Sequence, residues 1–499
     1  MKKNKPDHSI HIPKLEVKEV GLVKEAKRGI AKVAGLPSCI YGQLVEFKNG
    51  ITGMVIGFNP EETLVIILGE ESHISVGDSV TTFSEFFSLP VGEQLIGRVV
   101  SSTGKPLDDK GDIAASDYYP VFREAPGIIA REPITEPLLT GIKALDLTVP
   151  IGKGQRELII GDRQTGKSSI ALDTIINQKG KDIVCIYCWV GGSYSVFESF
   201  MHMLSRKNAF PYLVAVCAPA ATPAAEQYLA PYTAAAIGEY FMYRGRDVLV
   251  VFDDLTKHAW TYRQMSLLLE RAPGREAYPG DVFFLHSQLM ERAGRLKKEL
   301  GGGTMTFLPI VETMQGDITG YIQTNLISMT DGQIYLNTSL FQEGFKPAID
   351  LGLSVSRVGS KVQYPAIREL GGGLRLEYAQ YREMLRLTRL RTRLSEEAMA
   401  HIQRGETLEE LFRQDNFNPL SLVEEIVLFY AFSRKILEVL TPTVLKKFKT
   451  GILQFLLESE PGLVEEIEEG GELSEDVRRR LDNAFIMYFK KLKQAEVNT

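Results

Sequence analysis

Eight consecutive residues have the types and spacing to hold a polyphosphate: Gly161, Asp162, Arg163, Gln164, Thr165, Gly166, Lys167 and Ser168. Glycines at both ends let the backbone turn so that successive N–H groups converge on an anion. The lysine after the second glycine reaches outer phosphate oxygens, and the next hydroxyl can hold Mg²⁺. The flanks suit this chemistry, with apolar Leu158-Ile159-Ile160 before the loop and Ile170-Ala171-Leu172 continuing at helical spacing after it. A second apolar run, Asp247 to Phe252, delivers Asp253 and Asp254 to its end. An acid so placed supports Mg²⁺ through its shell of waters, and Asp253 is expected in that role. The chemistry expected is therefore binding of ATP or ADP with Mg²⁺.

The remaining sequence must supply the elements that hold these groups. The chain has 499 residues, 44% hydrophobic and 24% charged, which suits about three globular domains. Its net charge of -6 and pI near 5.8 argue against a broad nucleic-acid footprint. No stretch approaches the 18 or so uninterrupted apolar residues of a spanning helix, and the basic N-terminus leads into no apolar run, so a cytoplasmic protein is expected. Cys39, Cys185, Cys188 and Cys217 are too scattered for a disulfide framework. Cys185 and Cys188 lie in Ile183–Val190, which reads as a buried strand rather than a redox site. The seven histidines offer no zinc-ligand spacing.

The pattern divides the chain into an N-terminal tail (1–21), a barrel domain (22–90), a phosphate-loop domain (91–364) and a helical domain (365–499). Close-set strands with glycine turns between them predict a small antiparallel β-barrel. From Val91 strand signals alternate with helix-length segments, which predicts a mostly parallel sheet with helices on both faces. After about Ala366 apolar residues recur three and four apart in Leu374–Leu394, Leu408–Phe412, Ser421–Leu440, Thr443–Leu457 and Glu475–Leu492, an all-α pattern. Gly451 is the exception inside a segment, and Glu465–Glu469 reads as a solvated helix end or loop.

Several strings in this order resemble the alpha chains of the F-type ATP synthase head. They are Gly161–Lys167, Tyr228–Tyr232, Asp253–Ala259, Tyr262–Leu269, Pro273–Val282, Ser354–Ser360 and Ala379–Glu383. The resemblance implies a RecA-like central domain, a peripheral subunit on the cytoplasmic face of the plasma membrane, and an alternating hexamer with beta-type catalytic chains around a gamma-type rotor. A delta-type or peripheral-stalk contact and a membrane ion-translocating sector are implied too, and nucleic acid is not.

By the same resemblance, Arg163, Gln164, Gly166, Lys167 and Ser168 surround phosphate and Mg²⁺, with Asp253 behind the metal. The base would meet Gly344-Phe-Lys-Pro-Ala348, hence Lys346 and Pro347, together with Gln414 and Asn416. Lys346 stands where the family has arginine and lacks the planar guanidinium that stacks on adenine. Phosphate-loop hydrolases place a water-polarising carboxylate after the next strand. Beta chains carry Gly-Glu-Arg there and alpha chains usually Gly-Gln, whereas this chain has Gly191-Gly192. Glu198 reads as an exposed helix residue, so the chain's own site is expected to be non-catalytic and the isolated chain inactive. Arg357 is implied as an arginine finger acting in trans at the beta site.

Two further departures mark a divergent, alternative-operon type of alpha chain coupled to H⁺ or Na⁺. Ser9–Pro13 lacks the character of a stalk-binding helix. Arginines in Leu390–Ser395, with Arg386 and Arg389, replace an acidic rotor-facing loop. A catalytic subunit of a secretion- or vacuolar-type rotary ATPase would need a glutamate in place of Gly192. A hexameric RNA helicase would need basic and aromatic contacts that the barrel region hardly offers.

Overall fold

The computed structural model describes residues 18–69, 73–388 and 396–497. The expectations placed on Ser9–Pro13, Arg389 and Leu390–Ser395 lie outside the described residues.

The chain forms two compact units, and the smaller comprises residues up to Ser88 with Pro223–Ala225 and Gln264–Arg271. Its strands close into a six-membered antiparallel barrel in the order Val20–Lys27, Ile30–Ala34, Thr63–Ile67, Thr52–Phe58, Gln43–Phe47, Ser79–Phe86. Alternation along each strand sends Val23, Val33, Val45, Phe47, Val55 and Val65 to the interior. Gly53 is required there, since a Cβ would stand 2.6 Å from Val65 Cγ1. The first barrel strand begins at Val20. Val20 pairs with Thr81 but faces outward at 59% exposure, as Leu22 does.

The larger unit is built on a sheet whose main path runs Val355–Ser356, Gly332–Leu336, Leu158–Gly161, Thr304–Glu312, Asp247–Asp253, Ile183–Val190, Leu213–Ala218, Val99–Val100. All neighbours on this path are parallel except the first pair. Every residue of Ile183–Val190 is buried, as a strand covered on both faces must be. Register puts Gly161 beside Glu312 and Leu336, and Asp253 beside Trp189. The carboxyl ends of these strands thus share one edge, where open parallel sheets bind ligands.

The helical region comprises Pro365–Gly371, Leu374–Thr388, Glu396–Phe412, Leu422–Ser433, Pro442–Ser459, Pro461–Gly470 and Glu475–Val497. Its core continues that of the sheet through Tyr378, Phe412, Phe429 and Phe448. Ser421 and Glu424 form a reciprocal capping box that starts one helix. Leu408–Phe412 is only the last part of a 17-residue helix. Its first half is half-exposed or exposed, so its apolar signal is weak. Glu465–Glu469 closes the helix Pro461–Gly470, with Ile467 buried between the acids. Gly451 sits mid-helix because a Cβ would come within 2.5 Å of Tyr488 Oη.

Candidate nucleotide site

The phosphate loop leaves its strand at Gly161 and enters the helix Lys167–Ile176. Any larger residue at 161 would place Cβ 2.7 Å from the Leu336 carbonyl oxygen. Gly166 takes φ 100°, a left-handed conformation that glycine adopts at little cost, and no side chain caps the helix N-terminus. Asp162 braces the turn. It accepts Thr313 Oγ1 at 2.6 Å, the Gly316 N–H at 2.8 Å and Thr338 Oγ1 at 2.7 Å. Burial pushes its carboxyl up, but these donors outweigh burial and hold it below the usual range.

Lys167 is buried, and its Nζ donates to the Asp162 carbonyl oxygen at 2.6 Å. Burial lowers its pKa, while Glu312, Asp254 and Asp253 oppose the shift. Asp253 is buried and accepts Tyr187 Oη at 2.8 Å and the Ser168 hydroxyl. Burial raises its pKa against those two donors. Lys257 Nζ lies 2.6 Å from Asp254 and 3.9 Å from Glu312, and Arg163 Nε lies 2.9 Å from Glu312. Desolvation pushes Asp254 up to about 6 even with Lys257 beside it.

An uncapped helix N-terminus, a buried ammonium and a hydroxyl leaning on a buried carboxylate are the donor set of a Mg·nucleotide site. The residues therefore fit the group. Lys167 and the backbone of 163–168 would hold phosphate, and Ser168 with Asp253 would hold Mg²⁺, which when bound neutralises phosphate charge.

A pocket continues from Thr165, Gly166 and Ile170 to Phe341, Lys346, Pro347, Gln414 and Asn416. Lys346 Nζ stands 4.8 Å from the centroid of the Phe341 ring. The Gln414 amide is already engaged. It accepts the Lys143 N–H at 3.2 Å and donates to the carbonyls of Gly141 and Asn418 at 2.7 and 3.1 Å. Asn416 is exposed.

Arg357 follows the edge strand Val355–Ser356, and its N–H donates to the Asp331 carbonyl at 2.8 Å. The side chain is exposed, and its guanidinium has no hydrogen bond or ion pair among the described residues.

Three family models match the chain. They are the β-barrel domain of the ATP synthase alpha/beta family over residues 16–82, its nucleotide-binding domain over 141–356, and the C-terminal domain of the alpha/beta chain over 363–488. An ATP synthase subunit alpha from Clostridium acetobutylicum is 45% identical across 97% of this chain and 95% of its own. Another, from Caldanaerobacter subterraneus subsp. tengcongensis, is 45% identical across 96% of this chain and 94% of its own. The chain belongs to the ATP synthase alpha/beta family, as an alpha-type member.

In this alpha-type chain the phosphate-end residues named from sequence, 161–168 and Asp253, converge at the sheet edge. Lys346, Pro347, Gln414 and Asn416 line the adjoining pocket, and Arg357 belongs to neither group. Gly192 is buried and Glu198 exposed. Arg386 is exposed near the end of Leu374–Thr388. No helix among the described residues is long and apolar enough to cross a membrane.

Sequence reasoning missed four residues that shape the site. Tyr187 is two residues along the strand from Trp189, and only strand parity could have aimed it at Asp253. Lys257 lies one helical turn past Asp254, a spacing that i,i+3 pairing makes legible. Glu312 ends the strand beside the phosphate loop and becomes visible only with the strand order. Asp173, two turns into the loop's helix, lines the pocket and accepts the N–H groups of Phe417 and Asn418.

Proposed function

We propose that this chain is the non-catalytic, regulatory nucleotide-binding subunit of a rotary F-type ATP synthase, which makes ATP from ADP and phosphate using a transmembrane H⁺ or Na⁺ gradient. The observation that carries the reading is a complete phosphate loop with no side chain at Gly192. Such a site grips a Mg·nucleotide but has no group of its own there to polarise an attacking water. The isolated chain then hydrolyses ATP negligibly. Multi-turnover hydrolysis by the purified chain alone would contradict this reading and favour a catalytic rotary subunit.

Arg357 supplies the complementary half of the reading. An exposed guanidinium that makes no hydrogen bond or ion pair among the described residues can meet the charge of a neighbour's transferring phosphoryl group. In the assembled head, Arg357→Ala should slow hydrolysis by about 10³-fold. Nucleotide binding to this chain should be intact, and loss of both together would count against the assignment.

The domain limits that go with this reading are tail 1–21, barrel 22–90, phosphate-loop domain 91–364 and helical domain 365–499. The partners are beta-type chains in an alternating hexamer, a gamma-type rotor, a delta-type or peripheral-stalk contact, and a membrane ion-translocating sector. The assembly sits on the cytoplasmic face of the plasma membrane, and the chain is its peripheral component. The bare Gly192 and the arginine-rich 386–395 segment favour an alternative-operon type, for which Na⁺ is the proposed coupling ion. ATPase activity of the reconstituted enzyme that does not respond to Na⁺ would remove the sodium version.

A further inference from the structure

Trp189 stands beside Asp253 in register on the neighbouring strand, at the edge where the phosphate loop opens. It shares a face with Tyr187, whose hydroxyl holds Asp253, and the two rings stack at 6.3 Å. Phe197 and Phe200 cover the indole from the next helix at 6.3 and 5.8 Å, and Lys257 Nζ lies 5.7 Å from the ring. The side chain is only 5% exposed, and Nε1 has no hydrogen-bond partner among the described residues. Trp189 also controls its neighbour. A Cβ at Gly192 would stand 2.2 Å from Trp189 Cζ2 and 2.5 Å from Cε2, the carbon bonded to Nε1.

Two consequences follow from these distances. No residue with a side chain fits at 192 while the indole holds this position, because contacts under about 3 Å force a shift and aromatic rings wedged in a core have little room to give. An indole N–H buried without an acceptor is also destabilising, and a site retains it when a ligand supplies the acceptor. The uncapped N-terminus of the loop's helix marks that ligand as anionic.

We infer that Trp189 is a positioning residue of the nucleotide site: its ring fills the space of a residue-192 side chain, and its N–H donates to an oxygen at the phosphate end of the nucleotide. This rests on the nucleotide-binding reading above. The missing side chain at 192 and the large one at 189 are then one feature. The aromatic plug closes the water-attack position and adds a donor to the grip.

The sequence has only two tryptophans, so Trp260→Phe leaves Trp189 as the sole indole emitter in the full-length chain. Emission of that variant should shift on titration with Mg·ATP, over the range in which equilibrium dialysis shows binding. Binding without any emission change overturns the inference, whereas no binding at all refutes the nucleotide reading on which it rests. Trp189→Phe keeps an aromatic ring and removes the donor together with part of the indole's packing. It should weaken Mg·ATP binding about 3- to 10-fold, and the Tm of the nucleotide-free variant records the packing loss separately. Unaltered affinity would reduce Trp189 to packing and defeat the donor role.

The shared space is tested by Gly192→Glu, Trp189→Ala and the double variant. Each single variant should lose Tm, and the double variant should lose clearly less than the sum of the two. Additive losses would show that the two positions do not compete.

Discussion

The two ends of the nucleotide site are built differently. At the phosphate end the buried polar groups are held by the fold. Lys167 and Asp253 are buried, Asp162 takes three donors from residues far along the chain, and Glu312 lies between Arg163 and Lys257. At the base end the side chains are exposed or already committed, since Asn416 faces solvent and the Gln414 amide bonds Lys143, Gly141 and Asn418. The contrast teaches where affinity resides: preorganised donors of phosphate cost nothing to arrange on binding, whereas base contacts must be recruited from groups with other employment.

The sharpest way to break this comparison is Lys167→Ala. Removing one partner from a buried set of charges costs about 3 kcal/mol or more, so Mg·ATP affinity in equilibrium dialysis should fall by about 100-fold. A loss no greater than that from Gln414→Ala would erase the distinction between the ends. Asp253→Asn comes next. Asp253 meets Ser168 through its hydroxyl and is proposed to act on the metal at one remove, and such support is worth about 10-fold in metal affinity. The Mg²⁺ dependence of ATP binding should therefore weaken about 10-fold, while metal-free binding stays nearly as it was.

Asp173 joins the two ends, because it stands on the phosphate-loop helix and accepts N–H groups from the 417–418 segment. Burial lifts its carboxyl to about 7, only partly offset by those donors. The unfolded chain holds the same group near ~3.9. A folded pKa above the unfolded one means that folded protein binds the extra proton. The associated stability is complete below about pH 4 and is lost as pH rises through about 7. Asp173→Asn should match the parent in thermal melts at pH 4 and exceed it at pH 8. Asp146 and Glu425, both raised by burial, remain in each protein, so the difference isolates Asp173. A variant less stable at pH 8 would show that the carboxylate is stabilised there by something other than its two backbone donors.

The phosphate end was legible in sequence because each of its parts is local. The loop is eight adjacent residues, and Asp253 ends an unbroken apolar strand. The barrel, the parallel sheet and the helical domain were legible for the same reason, from patterns with periods of two and 3.6. What stayed hidden was long-range. Glu312 reaches the loop only because its strand lies beside Leu158–Gly161, a neighbour relation that no local pattern encodes. The commitment of Gln414 depends on Gly141 and Lys143, more than 270 residues away along the chain. The reason for Gly192 lay three residues back, in the rotamer of Trp189, and spacing alone does not report a rotamer.

The smallest expected effect tests whether the base end can be strengthened without touching the phosphate end. Lys346 lines the pocket with its ammonium over the Phe341 ring, a point charge with no flat surface to offer a base. Arginine would keep the charge and the aromatic contact and add a planar face able to stack on adenine, worth about 0.5–1 kcal/mol at a partly exposed position. Lys346→Arg should therefore tighten ATP about threefold and leave inorganic triphosphate binding unchanged. If both ligands tightened equally, residue 346 would be acting through charge on the phosphates, and the division of the site into two ends would have to be redrawn around it.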